Sequence, residues 1–235
     1  MKIFTIADIH GRSNWKDFAD ISRLLRLDNI KPEYDKYIFL GDYVDSYEET
    51  DAVILFNLKL IIEFKHKYPN NVVLLLGNHD LQYMFSINIH GCSGVRLRAY
   101  HELHKVFNDN KHLFQPVYQI DKYIFSHAGI STVWLNVLKL YKPLEDSSIS
   151  EYITSLFDEY YLRLFDVGSS RGGYCKSGGI FWADKSDTTA WMLPNYHQIV
   201  GHHSVELAPY THALDDNSSI TYVDNNKTGI YELEI

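Results

Sequence analysis

The sequence predicts an α/β fold, on three observations. Short apolar runs recur along the first third of the chain, at Lys2–Ala7, Tyr37–Leu40 and Val72–Leu76, each with the length and composition of a buried strand. Each run ends in a polar segment containing glycine: Asp8-Ile9-His10-Gly11, Gly41-Asp42-Tyr43-Val44-Asp45 and Gly77-Asn78-His79-Asp80. Between the runs lie longer stretches with helical spacing of apolar residues. Strand, polar loop and helix in repetition bring the loops together at the carboxyl ends of a sheet, where α/β proteins bind ligands.

Taken in order, Lys2–Ala7 is the first strand. Asp8 and His10 alternate by two, so in an extended segment they point the same way. Ser13 or Asn14 can cap a helix through about Leu27, with Trp15, Phe18, Ile21, Leu24 and Leu25 inward. After the strand Tyr37–Leu40, a helix is expected from Thr50 or Asp51 to about Tyr68, stopped by Pro69-Asn70-Asn71. Leu81 to about Asn108 reads as helix in two pieces, interrupted by Gly91-Cys92-Ser93-Gly94. Strands over Pro116–Ile120 and Tyr123–Ser126 turn at Asp121-Lys122, and the second ends in Ser126-His127-Ala128-Gly129. Helices are expected over Thr132–Tyr141 and Ser148–Phe165, followed by a Gly/Ser-rich loop from Gly168 to Gly179 that carries Arg171 and Lys176. His197–Val200 is a strand ending in Gly201-His202-His203. Ile220–Val223 and Gly229–Leu233 read as a closing hairpin across Asp224-Asn225-Asn226-Lys227. With no linker, repeat or low-complexity tract, residues 1–235 are expected to form a single domain.

The 235 residues are 46% apolar and 22% charged, the composition of a soluble globular protein. No apolar run is long enough to span a bilayer and Met1-Lys2-Ile3-Phe4 opens no signal-peptide pattern, so a cytoplasmic protein with no membrane partner is expected. Two cysteines, Cys92 and Cys175, make no disulfide framework. A net charge of −8 argues against a non-specific grip on nucleic acid, which needs a basic face. Nothing in the sequence specifies an oligomeric state.

The stretch Leu40–Asp45 organises the functional reading. Gly41 ends a strand and lets the backbone turn, and Asp42 and Asp45 project from one loop. Nothing basic sits nearby; the next charges are Glu48, Glu49 and Asp51. A bound cation is the simplest partner for carboxylates so placed. Ligand-type residues stand at four further strand ends: Asp8 and His10; Asn78 and His79; His127; and His202. Carboxylate, imidazole and amide together suit Mn, Fe, Zn or Ni better than Mg or Ca. Any one of these residues alone is a turn cap; the set together points to metal. Of the twelve histidines, His66, His90, His101, His104, His112, His197 and His212 are read as surface residues.

Asp-x-His, Gly-Asp-x-x-Asp, Gly-Asn-His-Asp, a later His and Gly-His, in this order, resemble the calcineurin-like metallophosphoesterases. The spelling is most similar to the PPP-type serine/threonine protein phosphatases, and Phe181-Trp182-Ala183-Asp184 is similar to their Leu-Trp-Ser-Asp segment. The resemblance runs from Asp8 to about His203. It implies a four-layer αββα sandwich of two mixed β-sheets flanked by helices. It also implies two divalent transition-metal ions, manganese foremost. Asp8, His10 and Asp42 would hold the first; Asp42 would bridge to the second, completed by Asn78, His127 and His202. His79 would be the proton donor to the leaving oxygen, oriented by Asp45. The implied activity is phosphoester hydrolysis by metal-activated water, on a phosphorylated protein or small phosphoester. A dinucleoside polyphosphate or nucleotide phosphohydrolase is the alternative enzyme. A nucleic-acid phosphodiesterase is disfavoured by charge, and an inactive scaffold or binding subunit by the complete ligand set.

Two departures from that pattern stand out. The Arg-Gly that follows Gly-Asp-x-Val-Asp in the family is Ser46-Tyr47 here, and the Arg before Gly-Asn-His is Leu76. Arg171-Gly172-Gly173, ahead of Gly178-Gly179-Ile180-Phe181-Trp182, is similar to a segment of the bacterial, Shewanella-like PPP phosphatases. Arg171 is therefore nominated to bind the substrate phosphate, with Asn78 and, second, Arg12. Arg96 and Arg98, beside a Gly-rich break, could also reach substrate. Gly201-His202-His203-Ser204 lacks the spaced second histidine of many metallophosphoesterases, which leaves His203 without a role.

Overall fold

The structure, a computed structural model, describes residues 1–85, 91–225 and 227–235. His90 and Asn226, on which two of the expectations above fall, lie outside the described residues. The described strands are β1 (Lys2–Ala7), β2 (Lys36–Phe39), β3 (Val72–Leu75), β4 (Phe114–Gln115), β5 (Val117–Ile120), β6 (Tyr123–Ser126), β7 (His197–Val200), β8 (Tyr210–Asp215), β9 (Ser218–Tyr222) and β10 (Gly229–Glu234). The described α-helices are α1 (Ile21–Arg26), α2 (Asp51–Lys67), α3 (Asn78–Met84), α4 (Tyr100–Asp109), α5 (Thr132–Tyr141), α6 (Ile149–Asp158) and α7 (Lys185–Ala190). They form two compact units, one of Met1–Phe114 with Asn226–Ile235, the other of Gln115–Asn225. Two five-stranded mixed sheets with helices make this the α/β architecture expected.

The first sheet has the order β10-β1-β2-β3-β4. β1, β2 and β3 are parallel, with Thr5 opposite Ile38 and Phe39 opposite Leu74. Parallel neighbours need a crossover, and α1 and α2 supply the helical part of it. Ile3, Ile6, Tyr37, Ile38, Phe39 and Leu75 are wholly buried, which is why these strands read as continuous apolar runs rather than alternating ones. α2 matches its expected span. The Thr50 hydroxyl accepts from Val53 N at 3.4 Å, and Lys65, His66 and Lys67 occupy the last turn, where the helix dipole favours positive charge.

The helix expected through Leu27 is instead a 3-10 turn over Asn14–Asp17, then α1. The chain breaks at Ala19 and Asp20, both left-handed at φ 49° and 56°. The reason lies in the apolar positions: at 3.6 residues per turn, a continuous helix would put Trp15 and Leu24 on opposite faces. The break lets both be buried, Trp15 edge-on to Phe39 with centroids 5.7 Å apart.

The second sheet has the order β5-β6-β7-β9-β8. β6, β7 and β9 are parallel, and β5 and β8 are antiparallel edges. β8 has no apolar-run signature because it is an edge strand with almost every residue exposed. The expected closing hairpin does not form. β9 pairs with β7 and β8 in this sheet, whereas β10 pairs antiparallel to β1 in the other, Lys2 opposite Glu234. A lone two-stranded hairpin buries little; each strand gains a buried neighbour by joining a sheet. The helix expected over Ser148–Phe165 stops at Asp158, ahead of Tyr160 at φ 54°, and a 3-10 turn follows over Leu162–Phe165. Among the described residues, no helix is long and apolar enough to cross a membrane.

The ends of β2 and β3 meet so closely that two glycines are required. Gly41 has φ 98°, and a Cβ there would collide with the backbone of Leu76 and Gly77; a Cβ on Gly77 would collide with the nitrogen and carboxylate of Asp42. Gly77→Ala is expected to cost at least ~2 kcal/mol by overpacking a site with no room to relax. Urea unfolding checks this; an unchanged midpoint and slope would show that the loops can part freely.

Candidate functional site

Four candidate residues of the first unit share an unusual backbone, whereas Asn78 and His79 lie in α3. Asp8 (φ 49°), His10 (46°), Asp42 (55°) and Asp45 (65°) are all left-handed. Such a conformation costs an L-residue about 1–2 kcal/mol, and it persists where surrounding bonds impose it, typically at functional sites. Here His10 N donates to Asp42 O at 2.8 Å and Gly11 N to Tyr43 O at 2.8 Å, locking the loop after β1 to the loop after β2.

As a result Asp8, His10 and Asp42 each bring one ligand atom within 4.8 Å of the others, with both carboxylates buried. His10 Nδ1 lies 3.0 Å from Val44 O. A carbonyl can only accept, so Nδ1 carries the proton. Nε2 then faces Asp42 Oδ2 at 3.7 Å. Two buried carboxylates at this separation repel unless positive charge joins them. The donor set therefore fits a divalent cation.

Asp80, wholly buried, fastens the β2 and β3 loops. Its carboxylate accepts from Asp42 N at 2.8 Å, Tyr43 N at 3.0 Å and Gly77 N at 2.8 Å. Burial, and then the nearby charge of Asp42, push its pKa well above the usual carboxylate range. The sequence shows Asp80 beside the candidate ligands, but nothing in it says that the side chain turns back to the main chain.

His79 Nδ1 donates to Asp45 Oδ2 at 2.9 Å, and His79 N donates to Asp42 Oδ1 at 3.0 Å. Burial opposes the imidazolium charge. The negative charge of Asp42, the hydrogen bond and charge of Asp45 and the charge of Asp80 outweigh it and raise the pKa to about 9. His79 and Asp45 are thus paired as expected. Asp45 also accepts hydrogen bonds from the Gln82 amide and the Tyr83 hydroxyl, two residues that read only as helix interior.

Asn78 opens α3, with Nδ2 3.3 Å from Cys92 Sγ. Burial pushes the Cys92 thiol up to about 12, so it stays protonated. Ser46, in the position of the family's arginine, is buried and caps a turn, its hydroxyl accepting from Glu48 N at 3.1 Å and Glu49 N at 3.0 Å. Arg12 donates from Nη1 to Asp8 O at 3.2 Å and Lys227 O at 2.7 Å. Arg96 is a loop fastener: Nη1 meets Ser46 O at 2.7 Å, Nη2 meets Glu49 O at 3.2 Å, and Nε meets the Asp51 carboxylate. Arg98 is exposed.

In the second unit, β6 and β7 run parallel with Ser126 opposite Val200, so the residues that follow emerge side by side. His127, wholly buried, sits with Nε2 3.1 Å from Nδ1 of His202, which is left-handed at φ 60°. Two imidazoles so placed can offer nitrogens to one cation. Arg171 ends a 3-10 turn over Ser169–Arg171. Its Nε pairs with Asp184 Oδ2 at 2.9 Å and its Nη2 with His203 Nδ1 at 2.8 Å. A guanidinium only donates, so Nδ1 of His203 is the bare nitrogen. Burial, then Arg171, hold the His203 pKa below its ordinary value. His203 thereby has a structural partner that the sequence did not indicate.

A family model described as calcineurin-like phosphoesterase matches residues 1–226. Among solved structures, the fold is similar to the cold-active protein-tyrosine phosphatase of a psychrophilic Shewanella species, at 18% identity and TM-score 0.54, covering 99% of this chain and 75% of that one. It is also similar to a protein serine/threonine phosphatase from Saccharomyces cerevisiae, at 16% identity and TM-score 0.50, covering 96% and 68%. The family match runs through all the candidate site residues described above, and this chain belongs to the calcineurin-like phosphoesterase family, as a phosphoester hydrolase.

Proposed function

We propose that this protein is a phosphomonoesterase of the serine/threonine protein phosphatase type, with two divalent transition-metal ions as cofactors, manganese foremost. The observation that carries the reading is the convergence of Asp8, His10 and Asp42, with Asp45 on the loop of Asp42 and bonded to His79 in the first turn of α3. The phosphatase names of its relatives in fold favour phosphorylated protein over other phosphoesters. When bound, the cations polarise phosphoryl oxygens and acidify water.

Asp8, His10 and Asp42 would hold one cation, and His127 and His202 would offer nitrogens to another. His79 serves as general acid. Asp45 keeps its Nδ1–H engaged, the raised pKa keeps it charged at neutral pH, and Nε2–H supplies the proton that the departing oxygen needs. Arg171 takes the role left open at Ser46, with Asp184 and His203 fixing the plane of its guanidinium for a phosphate. Asn78 and Arg12 are the further candidates for substrate contact.

Asp42→Asn keeps the shape of the loop and removes the charge, so metal content by plasma mass spectrometry and turnover of p-nitrophenyl phosphate should fall together. His79→Asn should retain the metal and lower kcat by roughly 10²–10⁴-fold. Equal metal loss in both variants would remove the acid role of His79. Arg171→Ala should lower kcat/KM on aryl phosphates at least about tenfold; wild-type kcat/KM would dismiss its phosphate role. In metal-free protein, the raised His79 pKa stabilises the fold fully below its ordinary value of 6.5, and this is lost as pH rises through about 9. Thermal melts from pH 6 to 10 should therefore slope less steeply for His79→Gln than for wild type; parallel curves would contradict the Asp42 and Asp45 coupling.

A further inference from the structure

Asp45 is held by more than its histidine. Its Oδ2 accepts from both His79 Nδ1 and the Gln82 amide, and its Oδ1 accepts from the Tyr83 hydroxyl. Asp45, Gln82 and Tyr83 are all buried, so these donors are not exchanged for water. Gln82 and Tyr83 are consecutive in α3, the helix that also carries His79, so the acid and the residues that aim its carboxylate ride on one rigid element.

The direction of both hydrogen bonds is fixed from outside the helix. Cys92 N donates to Gln82 Oε1 at 3.0 Å, which turns the NH₂ end of that amide to Asp45. Arg96 N donates to the Tyr83 oxygen at 2.7 Å, so the single phenolic proton goes to Asp45. The Tyr83 ring is itself clamped, stacked at 6.3 Å on Phe107 and 5.5 Å from Tyr100. The Arg96 side chain closes the circuit by gripping Ser46 O and Glu49 O, in the segment that follows Asp45. A carboxylate with three donors on two oxygens has little freedom to rotate, and the imidazole bonded to it shares that restriction.

We infer that Gln82 and Tyr83 are positioning residues for the proton-transfer step, with the main chain of Cys92 and Arg96 setting the direction in which they donate. This rests on the reading of His79 as general acid. It predicts a defect that grows as the leaving oxygen becomes more basic, because only then does departure depend on the proton.

The test uses manganese-loaded protein and aryl phosphates ranging from a dinitrophenyl ester, which departs unaided, to phenyl phosphate, which does not. His79→Gln is the reference and should lose about a hundredfold in kcat on phenyl phosphate and little on the dinitrophenyl ester. Tyr83→Phe and Gln82→Met should each show the same pattern at about tenfold, with KM and manganese content unchanged. If one variant does not fold, the other decides. Uniform losses on all esters, loss of manganese, or wild-type rates in Tyr83→Phe and Gln82→Met beside a leaving-group-dependent His79→Gln would overturn the positioning role while leaving His79 as the acid. A His79→Gln variant with no leaving-group dependence would remove the acid role and the inference with it.

Discussion

The first unit depends on one buried carboxylate. Asp80 receives main-chain N–H groups from Asp42 and Tyr43 on one loop and from Gly77 on another. A turn that leaves a strand carries donors which sheet pairing no longer satisfies, and burying them unpaired costs about 1–3 kcal/mol each. Asp80 meets three at once. By doing so it lets two strand ends approach until glycine alone fits, and helps hold Asp42 in a left-handed conformation. The position of the Asp42 carboxylate thus follows from a second carboxylate, that of Asp80.

The same arrangement sets the electrostatics. Asp42, Asp45 and Asp80 lie close to a single imidazole, and their summed field overcomes the burial of His79 and keeps it charged. Burial raises the Asp45 pKa, while the bonds from His79 and Tyr83 draw it back. A surplus of buried negative charge is costly in a protein that binds nothing and useful in one that recruits cations.

How much of this was legible in the sequence depended on what each residue bonds to. Asp8, His10, Asp42, Asn78, His127 and His202 stand directly after apolar runs, so their places at strand ends followed from the order of the letters. The Asp45–His79 pair was implied by resemblance and is present at 2.9 Å. Asp80, Gln82 and Tyr83 gave no such signal, because their partners are main-chain groups or a carboxylate distant in sequence. Ser46 was legible as a missing arginine, not as the turn cap it is. The fold departed from expectation where tertiary burial overrode local pattern: the helix split at Ala19-Asp20, and the terminal strands drawn into different sheets.

That last feature bears on the order of assembly. Residues 115–225 form one unbroken stretch, whereas the other unit draws its edge strand from residues 229–234. During synthesis the inserted stretch can collapse as soon as it emerges, while β1 must wait for nearly the whole chain before its open edge is covered. Until then, the strand that leads into Asp8 and His10 exposes an unpaired ladder. The loops that carry Asp8, His10, Asp42 and Asp45 thus belong to the unit whose edge strand comes last in the sequence.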